Sequence, residues 1–179
     1  LRRLIAILVM QRGIDAGRTS ILNEGRDVAV PAAAVSACAV GRRVIAAIGV
    51  DRYRHRHWRT LRNAVSDAVG ATALFRRLGF NEVAPPLLDA RATGDAIEAL
   101  VTDELTSLGA NDSLIVFFAG HGSTRSQRVG GHDVRTGYLI PVDADPDRVA
   151  SWIEIEPWLR RISPGRSRRA RTAPRWTWS

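Results

Sequence analysis

The chain has 179 residues, 45% of them apolar, which suits one domain with a proper core plus loose ends. Its formal charge of +8 raises nucleic acid or a membrane surface as a partner, but five of those charges are arginines of the acid-free stretch 163–179, leaving +3 elsewhere. Cys38 is the only cysteine, which excludes an internal disulfide and a cysteine-based metal cluster and fits a reducing, cytoplasmic setting.

There is no lysine, a usage we read as codon bias of a GC-rich gene. No arginine-lined helical face interleaved with aromatics is visible, so nucleic acid is not expected as a partner apart from the arginine-rich tail. Residues 1–42 mix apolar and charged stretches and are assigned no function. Their apolar run Leu4–Met10 is too short to span a membrane and is followed directly by Gln11 and Arg12, so neither export nor membrane attachment is expected.

Organised structure is predicted from Arg43. Val44–Val50 is short, apolar and rich in β-branched residues, as in a buried strand. A polar loop over Asp51–Arg59 follows, and then an amphipathic helix with Leu61, Ala64, Val65, Ala68, Val69, Thr72, Phe75 and Leu78 on one face. Gly79 stands where a left-handed cap belongs. Val83–Leu88, interrupted by Pro85 and Pro86, reads as an edge strand, because proline cannot donate to a ladder.

Thr93 offers an N-cap to a second helix, with Asp95 in its first turn and Ile97, Leu100, Val101, Leu105 and Leu108 as its apolar face, ended by Gly109. Leu114–Ala119 has the unbroken apolar character of a central strand covered on both sides, and it is expected to stop at Gly120-His121-Gly122. A glycine-rich loop then runs to Thr136, Tyr138–Val142 reads as a short strand, and Pro157 can open a last helix through Ile162. Strand, helix, strand, helix, strand predicts an α/β fold with a parallel sheet and crossover helices, whose site lies off the carboxyl ends of the strands.

His121 stands at such an end. A strand fixes its position and flanking glycines let a substrate approach the backbone, although glycines around a turn histidine have a plain conformational reading as well. The segment Phe117-Phe118-Ala119-Gly120-His121-Gly122, with Gly137-Tyr138-Leu139-Ile140-Pro141-Val142-Asp143 after it, resembles the histidine segment of caspase-like and metacaspase cysteine peptidases. The likeness extends back through Val44–Tyr53, the positions Leu61, Ala64, Asp67, Ala68, Leu78, Gly79 and Phe80, and Asp112. It covers about residues 43–162, with 163–179 a separate tail.

This resemblance implies a caspase-hemoglobinase-like three-layer sandwich, a mostly parallel central sheet with flanking helices, incomplete at its C-terminal side. It implies hydrolysis of peptide bonds by a Cys-His dyad, with a peptide or protein as substrate or partner and no cofactor. His121 would be the general base and acid, and the Gly122 N–H would help form the oxyanion hole. Asp67 would line the pocket for the residue before the cut and favour Arg or Lys there, its plain alternative being a solvent-facing or capping carboxylate.

The departure from the family is the nucleophile. In caspases it follows the histidine by about 50 residues, near Arg171 here, and no cysteine is present there. Cys38 precedes the first strand and is not expected to substitute. A shifted reading frame from Ser163 and a natural non-catalytic module with an arginine arm both account for the tail. In either case the chain is expected to be inactive alone, with one side of its sheet unpaired. His55 and His57 are two apart but lack a third ligand, and His132 beside Asp133 is expected to be exposed.

Overall fold

The computed structural model describes residues 2–11, 41–109, 111–162 and 176–178, the first and last of these as backbone only. Cys38 and most of the arginine-rich tail lie outside these residues. The element order is β1 (Arg2–Gln11), β2 (Arg43–Gly49), α1 (Ala64–Arg77), β3 (Asn81–Glu82), β4 (Leu87–Leu88), α2 (Gly94–Ala99), β5 (Ser113–Val129), β6 (His132–Leu139), β7 (Ile153–Glu154), α3 (Ile155–Ile162) and β8 (Trp176–Trp178). The main path across the sheet is β3-β2-β5-β1-β8, with β4 on β2 and β6 carrying β7. Its central strands are parallel, β2 with β3, β4 and β5, and helices flank them, so the α/β class with a mostly parallel central sheet stands.

The two faces of β2 and β5 bury different partners, as the alternation of a strand dictates. Ala47, Phe117 and Ala119 pack against Ala64 and Ala68 of α1. Val44, Ala46, Ile48, Leu114, Val116 and Phe118 pack on the other face against Ile97, Leu100, Val101 and Leu105, together with Trp158 and Ile162 of α3. The five apolar residues expected on the second helix are all buried. That helix keeps its Thr93 cap, whose hydroxyl accepts from the Ala96 N–H at 3.1 Å, but it widens into a π-turn over Leu100–Glu104 and tightens again over Leu105–Ser107.

The first helix departs from the expected face. Ala64, Ala68 and Thr72 are buried, whereas Val69 and Leu78 are about half exposed. The contact with the sheet is a narrow alanine stripe, because Gly49 of β2 lets the helix backbone approach so closely that a Cβ there would lie 2.6 Å from the Ala64 carbonyl oxygen. Gly79 has φ +83°, the left-handed conformation expected of it. Of the predicted edge strand Val83–Leu88 only its end, β4, is strand; β3 pairs with β2 just before it, and Pro85 and Pro86 lie in the gap between the two.

Four expectations need correction. β5 does not stop at Gly120 but runs 17 residues, through His121, into a hairpin with β6. The stretch read as a glycine-rich loop is this hairpin: Gly130 and Gly131, both at positive φ, form its two-residue tip. The sheet side opposite β2 is also not unpaired, because β1 lies antiparallel along Ser113–Gly122 and β8 pairs with β1 beyond it. The apolar run Leu4–Met10, within the segment assigned no function, is what a central strand with an open edge would recruit. Finally, Tyr138–Val142 is strand only to Leu139, although the Ile140 N–H still donates to the His121 carbonyl at 3.1 Å.

Candidate active site

The site is built where β2 ends beside β5, with Gly49 opposite Ala119, and β5 runs on past it. His121 lies two residues further along β5 and is 3% exposed. The loop between β2 and α1 folds over it. Both ends of that loop are fixed: Asp89 Oδ1 accepts the N–H groups of Asp51 and Arg52 at 2.7 and 3.1 Å, and the Asp51 carboxylate accepts from Ala64 and Val65 at the start of α1. A carboxylate at a helix N-terminus satisfies donors that have no partner within the helix. Asp89 sits at φ +44°, a left-handed conformation that Asp tolerates better than most residues.

Three residues of this loop hold the histidine. The Tyr53 hydroxyl accepts the His121 backbone N–H at 2.7 Å, and its ring centroid is 4.9 Å from the imidazole. Trp58 is buried, with its ring 6.1 Å from the imidazole, and is anchored by its indole N–H donating to the Ala144 carbonyl at 2.8 Å. The Arg59 carbonyl oxygen is 2.6 Å from His121 Nε2. A carbonyl can only accept, so Nε2 carries the proton in this arrangement, and in the neutral ring the lone pair is on Nδ1.

Gly120 is required here by space. A Cβ at that position would lie 2.8 Å from both the Tyr53 hydroxyl and Phe118. Burial pushes the Tyr53 phenol well above its ordinary value of 10.0; the bond from the His121 N–H opposes this, while the charges of Asp51 and Asp89 add to it. Tyr53 therefore remains a neutral phenol over the working range of pH.

Gly122 lies within the ladder, opposite Leu139 of β6 and Arg2 of β1. Asp67 stands half-buried in the first turn of α1, whose start packs on the Gly49 end of β2, so it shares the end of the sheet at which His121 lies. His55, His57 and His132 are exposed, and among the described residues no group of three or more His, Cys, Asp or Glu is placed to hold a metal ion. No helix among the described residues is long and apolar enough to cross a membrane.

Sequence reasoning passed over Tyr53, Trp58 and Arg59, because a loop crowded with Arg and His reads as solvated. Aromatic residues alternating with charges in a short loop after a buried strand are the signal that was available. Arg59 acts through its carbonyl, which no side-chain pattern reports.

The sequence pattern of the caspase domain matches residues 42–161. The chain belongs to the caspase-domain family. No curated protein and no solved structure matches it. Membership fits the architecture, and cysteine-peptidase-like chemistry acting on protein is the function class that the family implies. The caspase domain here begins at the strand before the loop over His121 and ends in α3.

Proposed function

We propose that this is a cysteine endopeptidase domain of the caspase type in which His121 is the general base and acid. The observation that carries the reading is the buried imidazole fixed through Nε2 on the Arg59 carbonyl at 2.6 Å, just past the end of β2 in a caspase-family domain. With Nε2 protonated, Nδ1 is the atom that would take the proton of a neighbouring thiol. The thiolate attacks the peptide carbonyl, the imidazolium returns that proton to the leaving amine, and water then hydrolyses the thioester. The Gly122 N–H would stabilise the oxyanion. Asp67 would favour Arg or Lys before the cut, a preference that equal cleavage after Asp and Arg would contradict.

Cys38 is the one thiol in the 179 residues and precedes β2. The chain alone should therefore release nothing from fluorogenic peptides above a His121→Ala control; His121-dependent turnover blocked by a thiol reagent overturns its assignment as the histidine-bearing part only. Reading the coding DNA from Ser163 in all three frames tests the chemistry itself. An apolar strand ending in an Asp-x-Cys-His-Ser-Gly type sequence supports the peptidase reading, and its absence from every frame sinks it.

A further inference from the structure

The order of the strands singles out the place that β1 takes. From β2 the chain crosses through α1, on the alanine face of the sheet, to β3 and β4 on one side. It then returns through α2, on the opposite face, to β5 on the other side of β2. Both crossovers join parallel strands and have the same hand, as such connections do almost without exception. α3 packs on the same face as α2. A further parallel crossover of that hand, leaving α3, continues in the direction of the α2 crossover and delivers its strand beside β5 on the side away from β2.

That position is occupied. β1 lies in it antiparallel, in register from Gln11 opposite Ser113 to Arg3 opposite His121 and Arg2 opposite Gly122. It comes from the opposite end of the sequence, it runs against the direction that a crossover would give, and it covers β5 as far as the backbone of the candidate catalytic residue.

We propose that Arg2–Gln11 is a displaceable plug in the sheet slot beside β5 that a crossover strand leaving α3 would take, the strand that on the peptidase reading above carries the nucleophile; the short strand that follows α3 here, β8, lies one place further out, on β1. β1 and a nucleophile-bearing strand in that slot exclude one another, so such a site is completed only when β1 leaves. The slot accepts one extended, apolar segment through main-chain hydrogen bonds, the mode of recognition by strand addition.

The test compares the unaltered chain with Ile7→Pro, which removes a backbone donor in the middle of β1 and disfavours it as a central strand. Amide hydrogen exchange is followed along Ser113–Gly122, in β2 and in α1, and a labelled peptide with the sequence of residues 2–11 is titrated into both proteins. We expect Ile7→Pro to lose protection along Ser113–Gly122 by about ten-fold or more while α1 keeps its own, and to bind the peptide about ten-fold or more tighter than the unaltered chain. Equal protection in the two proteins overturns the proposal, as does failure of the variant to bind the peptide. Joint loss of protection in α1 and β2 also overturns it, because β1 is then an integral strand and not a plug. None of these readouts involves His121 chemistry, so a failed peptidase assay and a failed plug are told apart.

Discussion

The Tyr53 hydroxyl and the His121 backbone N–H are joined by a 2.7 Å hydrogen bond in which the phenol is the acceptor. The bond ties the loop after β2 to the strand that carries the histidine, and burial keeps the phenol neutral. Tyr53→Phe removes the acceptor and leaves a buried N–H without it, which costs about 1–3 kcal/mol. The denaturant midpoint should fall accordingly, and the His121 ring resonances should shift with it. An unchanged midpoint would show that water replaces the phenol at no cost.

The same phenol sets an alkaline limit. Its value is raised in the folded chain above the 10.0 of the free side chain, so above that pH the unfolded chain loses a proton that the folded chain retains. The Tyr53 contribution to stability is complete below pH 10 and declines as pH rises through the folded value. Unfolding free energies measured at pH 9 and pH 11 should therefore differ more in the unaltered chain than in Tyr53→Phe. Tyr138, raised chiefly by burial and then by Glu154, supplies the remaining decline in both proteins. An identical decline in the two assigns the effect elsewhere.

The core elements were legible in the sequence because their burial is periodic. Leu114–Ala119, the second-helix face, Thr93 and Gly79 all carry local signals that tertiary packing did not override. The hairpin was missed because Gly130 and Gly131 were counted as loop composition, when two glycines between residues able to form strands are a tip. β1 was missed for a different reason: no local pattern reports that a strand more than 100 residues away has an open side. His121 was legible from the buried apolar run that leads into it, although the strand passes through it and does not end before it, whereas its hold through the Arg59 carbonyl is a tertiary fact with no side-chain code.

Gly120→Ala tests the packing around the histidine. The added methyl would meet the Tyr53 hydroxyl and Phe118 at 2.8 Å, closer than van der Waals contact permits. Overpacking of this kind costs about 1–3 kcal/mol. The effect should fall on the same bonds as Tyr53→Phe, so the double variant should be less destabilised than the sum of the singles. Strict additivity would place the strain on Phe118 alone.

Asp112 fixes the entry to both central strands. Its buried carboxylate accepts the N–H groups of Arg42 and Gly109 at 2.7 and 2.8 Å and meets the Arg42 guanidinium. These bonds, that from Gly109 foremost, hold its carboxyl below the ordinary 3.8 despite burial. Asp112→Asn should cost about 1–3 kcal/mol near neutral pH, chiefly through the buried backbone donors, since the Arg42 side chain is largely exposed and its pairing is screened. The stabilisation from the charged form is present above the ordinary carboxylate value and is lost as pH falls through the lower folded value. The stability gap between the two proteins should therefore be widest at pH 6 and close toward pH 2; a gap that stays constant would mean the charge of Asp112 contributes nothing.

The hairpin that begins at His121 depends on its tip. Gly130 and Gly131 lie at φ +58° and +85° with open space around both, so the requirement there is conformational and not steric crowding. Gly130→Val places a β-branched residue in the left-handed region at a cost of about 1–2 kcal/mol, whereas Gly130→Asn keeps a residue that adopts it readily. Since the ladder runs from Val129 opposite His132 to Gly122 opposite Leu139, hydrogen exchange in β6 should rise in the valine variant and stay near its original rate in the asparagine variant. The Nε2 bond to Arg59 lies on the loop side of His121 and should survive in both, which the ring nitrogen shifts would show. Equal damage from Val and Asn would mean that the tip does not set the register of the hairpin.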